Sequence, residues 1–189
     1  VLPGWWSSGG KRCFDLLAAS LGLLVLSPFF LLVSIFIVVE STGSPFFVDE
    51  RLGRGGIPFR MVKFRTMVPD SINHELGRKL LVHDPRLTWF GKLLRRFSLD
   101  ELPQLWNIML GHMSLVGPRP GLVEHVEQYS ESQHFRLLVR PGITGLAQVS
   151  GRNAITWEER IKHDLDYVRR LSARLDIKII LATVRTVLL

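Results

Sequence analysis

One cysteine, Cys13, stands in 189 residues. A lone thiol excludes an internal disulfide framework. No Cys/His cluster has the spacing of a zinc site, and the six histidines share no ligand spacing. There is no internal repeat and no low-complexity stretch, so solenoid and linker architectures drop out. Acidic residues are the scarcer charge: 17 Asp+Glu against 24 Lys+Arg give a formal net charge of +7. Such a balance calls for an anionic partner, and nucleic acid, anionic lipid and phosphorylated small molecules all have the right sign. Nucleic acid recedes, because no recognition motif and no aromatic–basic interleaving is present. Apolar residues make up 47% of the chain, which excludes global disorder. The length fits one domain, at most with a small appendage. The chain begins at Val1, which leaves a longer parent protein open.

The mean hydropathy of +0.20 is high for a soluble domain, and the excess has one source. Residues 16–39 are 24 consecutive positions without a charge, closed by Asp15 and Glu40. As a straight helix this run is about 36 Å long, enough to cross a hydrocarbon core of about 30 Å. It is too long for a signal peptide, and no small-residue cleavage site follows. Pro28 sits near its middle. Proline removes its own N–H and clashes with the carbonyl four residues back, at Leu24. Ser27 offers a hydroxyl to a freed carbonyl. Two outcomes follow: one kinked spanning helix, or two half-helices of about 17 Å that dip in and return. Lys11 and Arg12 precede the run, and Arg51, Arg54 and Arg60 follow it. Basic flanks on both sides give a spanning helix no positive-inside asymmetry. They suit a hairpin with both ends in the cytoplasm.

Beyond the run, 44–48 reads as a short strand and 51–56 as a basic turn. Residues 59–67 (FRMVKFRTM) are strand-like, with Met61, Lys63 and Arg65 on one face and Val62 and Phe64 on the other. Residues 70–92 read as loop with short helix. A helical stretch runs to Leu110, and 111–120 is a Gly/Pro-rich loop. Residues 122–139 read as one amphipathic helix, 141–145 as a tight loop, and 156–171 as a charged helix. Residues 175–189 have a broad apolar face, fitting an interfacial helix or an ordinary packed terminal one.

Asp100-Glu101 is an acidic pair with Arg95 and Arg96 before it and Arg119 after it. The plain explanation is a capping box, Ser98-x-x-Glu101. Pro103 weakens it, because with Ser98 as N-cap the proline falls at the fifth helical position and loses a hydrogen bond. With Asp100 as N-cap it loses nothing, so the helix is expected to begin at Asp100, beside backbone N–H groups suited to a phosphate. An aspartate can attack phosphorus and form an acyl phosphate. The approach needs Mg²⁺ and basic side chains to offset repulsion from a diphosphate. Mg²⁺ takes one or two carboxylates plus substrate oxygens. Asp100, Glu101, Lys63, Arg65, Arg95 and Arg119 make a sufficient set of parts.

The chain resembles the bacterial sugar transferases, the monotopic phosphoglycosyl transferases that start lipid-linked glycan assembly on polyprenyl phosphate. The resemblance rests on Lys11-Arg12-x-Phe14-Asp15, Ser27-Pro28, Lys63-Phe64-Arg65-Thr66-Met67, the Ser98 to Leu105 run SLDELPQL, the Met113 to Pro120 run MSLVGPRP, Pro141-Gly142-Ile143-Thr144-Gly145 and Asp164-Leu165-Asp166-Tyr167-Val168. These run in order over nearly the whole chain. The resemblance implies an α+β, mostly helical protein. It has an N-terminal unit, 1–40, whose segment 16–39 is a re-entrant hairpin broken at Ser27-Pro28. A catalytic domain, 41–189, follows on the cytoplasmic face of the bacterial inner membrane, with a small β element and interfacial amphipathic helices. It implies that Asp100 attacks the sugar-bearing phosphate of a UDP-sugar, that UMP leaves, and that polyprenyl (undecaprenyl) phosphate takes the phosphosugar. By the same resemblance, Asp100 and Glu101 are the metal-bearing acidic pair, with Glu101 taking Mg²⁺. Lys63, Arg65, Arg95, Arg119, Gln104 and Asp164 are its substrate-side candidates. His112 and Asp166 depart from the common pattern; the second leaves open which of Asp164 and Asp166 matters.

Two other readings compete. A glycosyltransferase breaking the sugar–phosphate bond would release UDP, but the Asp-x-Asp motif after a Rossmann-like strand is missing; Asp164-x-Asp166 fits a charged helix instead. A non-catalytic lipid-binding module would dock its basic surface on anionic lipid.

Overall fold

The computed structural model describes residues 6–69, 84–151 and 154–188. Much of the stretch expected as loop with short helix, 70–83, lies outside them. A short helical turn, Trp6–Gly10, leads into α1, Lys11–Glu40. The chain then forms β1 (Phe46–Leu52), β2 (Pro58–Phe64), α2 (Trp89–Arg96), α3 (Gln104–Met109) and β3 (Ser114–Val116). After these come α4 (Glu131–His134), β4 (Gly142–Thr144), α5 (Leu146–Ser150), α6 (Trp157–Arg169) and α7 (Ala173–Leu188). The class is mostly helical with small sheets, as expected.

Helix α1 is one helical element that runs through Pro28. Ser27 Oγ donates to the Leu24 carbonyl at 2.8 Å. That is the carbonyl whose partner Pro28 removes, and an unsatisfied carbonyl costs several kcal/mol in an apolar medium. One face of α1 lies along the rest of the protein. Arg12 donates to the Ile108 and Met109 carbonyls at 2.6 and 3.1 Å, capping α3. Asp15 Oδ1 accepts from Leu115 N at 3.0 Å. Ala19, Val33 and Ile37 are buried, and Glu40 Oε1 accepts from Phe90 N at 3.1 Å. The spacing of these positions is the three-and-four repeat of one helix face. Leu17, Leu24, Leu31 and Val39, on the other side, are 74, 73, 63 and 80% exposed. Exposed apolar surface on this scale is a contact surface for lipid or partner.

β1 and β2 form an antiparallel hairpin with Phe46 opposite Phe64 and Leu52 opposite Pro58. Its turn uses positive φ at Gly55 and Gly56. Both strands run further than the sequence pattern indicates at their shared end: β1 reaches Leu52, which shortens the expected 51–56 turn. The expected alternation in β2 breaks after Met61. Phe59 and Met61 pack with Ala19, Leu105 and Ile108, whereas Phe64 packs with Val33, Ile37 and Leu94. The strand is covered on both sides, so period two no longer separates core from solvent. Asn107 of α3 closes its free edge: Val62 N donates to Oδ1 at 2.9 Å, and Nδ2 donates to the Arg60 carbonyl at 2.7 Å.

Two other expectations fail for local reasons. The helix expected over 122–139 is three pieces: a 3₁₀ turn Val123–Gln128, α4, and a 3₁₀ turn Phe135–Leu138. Tyr129 is extended and buried, and Ser130 starts α4 afresh through a capping box with Gln133. The tight loop expected at 141–145 contains β4, which pairs in parallel with β3 inside the Gly/Pro-rich loop. A third cluster, Val116, Val139, Tyr167, Val168 and Ile179, seats α6 and α7 on this small sheet. Asp176 of α7 is buried and accepts from Lys11 at 2.6 Å and Tyr167 at 2.8 Å. Ile177, Leu181 and Val184 of α7 remain exposed.

Candidate active site

Asp100 and Glu101 do not open an α-helix. They lie on a 3₁₀ turn, Leu99–Glu101, and α3 starts only at Gln104. Asp100 is therefore not an N-cap, and the capping box Ser98-x-x-Glu101 does not form. Ser98 is the one non-glycine residue with positive φ, 54°, among the described residues. That conformation costs about 1–3 kcal/mol and turns the chain so tightly that Glu101 N bonds back to the Ser98 carbonyl at 3.3 Å. Pro103, with no N–H to lose, sits between the 3₁₀ turn and α3.

The turn points its two acids into different surroundings. Glu101 Oε1 accepts from Lys63 Nζ at 2.8 Å and from Arg119 Nη2 at 2.7 Å. Burial pushes the Glu101 carboxyl up, but Arg119 and Lys63 overcome it and hold the group at about 2. Lys63 is pushed down, first by burial and then by Arg119, against the pull of Glu101. Arg119 is held up by Glu101, and 40% of its side chain stays exposed. Asp100 is 8% exposed. Burial, then the charge of Glu101, push its carboxyl above the ordinary range, against Lys63, Arg95 and Arg119. No described residue hydrogen-bonds its carboxylate. Two adjacent acids thus carry opposite perturbations, the pattern by which sites divide roles.

Arg95 comes from the last turn of α2. Its Nε donates to Thr66 Oγ1 at 2.8 Å, and burial lowers its pKa against the nearby Asp100. A cavity of about 530 Å³ opens beside this group, lined by Arg95, Glu101 and Arg119 on one side and Thr144, Gln148 and Thr183 on another. Asp100 adjoins the cavity without being among its lining residues.

Among the described residues no group of three or more His, Cys, Asp or Glu could hold a metal ion. The pair nonetheless fits a hard dication that keeps most of its ligands elsewhere. No described residue occupies the Asp100 oxygens, and a cation there would favour the ionised carboxylate against the burial and the Glu101 charge that push its pKa up. Glu101 fits less well as the main ligand, since Lys63 and Arg119 already donate to Oε1 and Arg119 Nη1 donates to Oε2 at 3.3 Å.

Of the expected site residues, Asp100, Glu101, Lys63, Arg95 and Arg119 come together. Arg65 does not. The strand ends at Phe64, and Arg65 turns back to cap α1, donating to the Ser41 and Thr42 carbonyls at 2.5 and 2.6 Å. Gln104 is buried in the first turn of α3, outside the cavity lining, and its Nε2 has no hydrogen-bond partner among the described residues. Asp164 is also outside it, 1% exposed and paired with Arg136 at 2.6 Å. Asp166 makes an exposed surface pair with Arg170 at 2.9 Å. Ser27 and Pro28 lie midway along α1. Thr66 and Arg136 escape sequence reasoning. Thr66 stands in the Lys63–Met67 motif and could have been weighed with it. Nothing local marks Arg136.

A profile described as "Bacterial sugar transferase" matches residues 6–189. The "Exopolysaccharide production protein ExoY" of Rhizobium meliloti (strain 1021) is 42% identical over 193 residues, covering 95% of this chain and 85% of that protein. The "Uncharacterized sugar transferase EpsL" of Bacillus subtilis (strain 168) is 47% identical over 179 residues, covering 94% and 87%. The "UDP-glucose:undecaprenyl-phosphate glucose-1-phosphate transferase" of Escherichia coli (strain K12) is 41% identical over 182 residues, covering 92% of this chain but 39% of that protein.

Proposed function

The chain belongs to the bacterial sugar transferase family, and from that premise we propose that it moves a sugar-1-phosphate from a UDP-sugar to polyprenyl phosphate, through a phosphosugar carried on Asp100. The observation that carries this reading is the division of labour within the acidic pair. Lys63 and Arg119 hold Glu101 between them, while Asp100 is left buried, without a hydrogen bond to its carboxylate from any described residue, and faced by Lys63, Arg95 and Arg119.

An Asp100 oxygen attacks the sugar-bearing phosphorus. The P–O bond to UMP breaks, and UMP leaves with the electron pair. An oxygen of polyprenyl phosphate then attacks the same phosphorus, the bond to Asp100 breaks, and the lipid diphosphate sugar is released. Arg119, 40% exposed, and Arg95, of which only Nε is committed among the described residues, hold donor phosphate oxygens. Lys63 and Arg119 keep Glu101 ionised and in place. Asp100, with the remaining lone pairs of Glu101, would hold a Mg²⁺ ion, which when bound would supply charge neutralisation at the diphosphate. The reaction is the first membrane step of glycoconjugate assembly. Given UDP-sugars and Mg²⁺ without lipid, the protein is expected to gain the mass of one phosphosugar on the peptide containing Asp100. An adduct on another residue would overturn the assignment.

The site belongs at the headgroup level of the inner membrane, on its cytoplasmic face, where a water-soluble donor and a lipid acceptor can meet. Helix α1 supports a one-sided topology. Arg12 near its start and Glu40 at its end both bond to the same body. A helix crossing to the far side would carry one of those ends about 30 Å away. Cysteines at positions 8 and 44, in a Cys13→Ser background because Cys13 is exposed, should both be shielded from an impermeant reagent added outside intact cells. Labelling of one but not the other would establish a spanning helix.

A further inference from the structure

The loop that presents Arg119 is held from behind. Arg136, in the 3₁₀ turn Phe135–Leu138, is 3% exposed. All three of its guanidinium nitrogens are engaged. Nε and Nη2 donate to Asp164 Oδ2 at 3.1 and 2.6 Å. Nη1 donates to Tyr129 Oη at 2.8 Å. Nη2 also donates to the backbone carbonyl of Arg119 at 2.9 Å. The Tyr129 and Trp157 rings stand 5.6 and 5.7 Å from the guanidinium carbon. The fit is close on the loop side too: a Cβ at Gly121 would meet Tyr129 Oη at 2.4 Å. Opposite ends of the loop are fixed by Leu52 N donating to Gly121 O at 2.9 Å and Gly117 N donating to Thr144 O at 2.9 Å. Between these anchors, Arg136 fixes the peptide of the residue whose side chain reaches Glu101.

We propose that Arg136, braced by Asp164, is a positioning residue for the transfer reaction: it holds the Arg119 backbone so that the Arg119 guanidinium meets Glu101 and the donor phosphate together. The inference rests on the phosphotransfer reading of the site. A planar fork holds these three partners through four hydrogen bonds in fixed directions, whereas an ammonium offers three rotatable donors on a flexible stem. A buried ion pair adds little net stability over an apolar replacement, so geometric definition is the stronger reason for one here. The role also accounts for Asp164, which lies outside the cavity yet belongs to its support.

The test uses the full chain in membrane mimetic with UDP-sugar, Mg²⁺ and polyprenyl phosphate. It compares wild type, Arg136→Lys, Arg119→Ala and the double variant, following UMP release against pH. Arg136→Lys is expected to lower kcat/KM about tenfold, in keeping with the cost of a small misplacement. Its acid limb should move to higher pH. The charges facing Asp100 and Glu101 are Lys63 from β2, Arg95 from α2 and Arg119 from the loop after β3. Retreat of the last removes a cation that lowers both acids. In the Arg119→Ala background the same substitution should cost less than about twofold, because its route of action is already gone. Equal losses in both backgrounds with an unmoved acid limb would reduce Arg136 to a structural residue. Where Arg136→Lys fails to fold, Asp164→Asn makes the same comparison with a smaller disturbance. Undiminished UMP release by Arg119→Ala would take Arg119 out of the donor site and overturn the inference, whereas release of UDP in place of UMP by wild type would defeat the phosphotransfer reading itself.

Discussion

Asp100→Asn is expected to lower UMP release by at least ~10³-fold, the usual scale for loss of a nucleophile. Asparagine has the same shape but no anionic oxygen to attack phosphorus. The same substitution should leave thermal stability unchanged or raised at neutral pH. The sign follows from the shift. Burial and Glu101 push the folded-state pKa of Asp100 up. Above its folded pKa the ionised group therefore opposes folding, and the penalty fades as pH falls and the proton returns. Removing the charge removes the penalty. A chain that melts no lower while turnover collapses marks a group kept for chemistry at a cost to stability. Activity within threefold of wild type would remove Asp100 from the mechanism.

Glu101→Gln carries the second large effect, in three separable parts. Turnover should fall about 10²-fold, because Lys63 and Arg119 lose the anion that orients them. Stability should fall by ~2 kcal/mol. Breaking a buried pair costs more than that, but the exposure of Arg119 lets solvent take up part of the loss. The acid limb of the pH profile should move to lower pH, since Asp100 loses the like charge that helps raise it. In wild type the folded-state pKa of Glu101 is depressed to about 2. Its ion pairs therefore stabilise fully above the ordinary carboxylate pKa of about 4.3 and are lost as pH falls toward 2. A limb that stays in place in Glu101→Gln would mean that Asp100 is not the group that titrates.

The site was legible where motif residues act through side chains close to the acidic pair. Asp100, Glu101, Lys63, Arg95 and Arg119 all meet. It was not legible where tertiary context chose between equal local options. Arg65 sits two residues from Lys63, and strand alternation puts both on one face. The strand ends at Phe64 because α1 and α2 bury that ring, and Arg65 then caps α1 instead. Capping rules placed a helix start at Asp100. The left-handed Ser98 made a 3₁₀ turn instead, and no sequence pattern announces a strained serine. The Ser27 bond to the Leu24 carbonyl followed directly from proline chemistry and is present. Parallel pairing of β3 with β4 joins two three-residue strands across more than twenty residues, beyond any window that reads periodicity. The 122–139 pattern has helical spacing, but the burial of Tyr129 over Arg136 breaks it. That break builds the support under Arg119.

The most direct measurement is the nucleotide product. Purified protein receives Mg²⁺, polyprenyl phosphate and a panel of UDP-sugars, and released UMP and UDP are separated. Attack at the sugar-bearing phosphorus predicts UMP, dependent on Asp100, and the donor that yields it identifies the sugar. Release of UDP would mean that the glycosidic bond is the one broken, and would contradict a phosphosugar carried on Asp100.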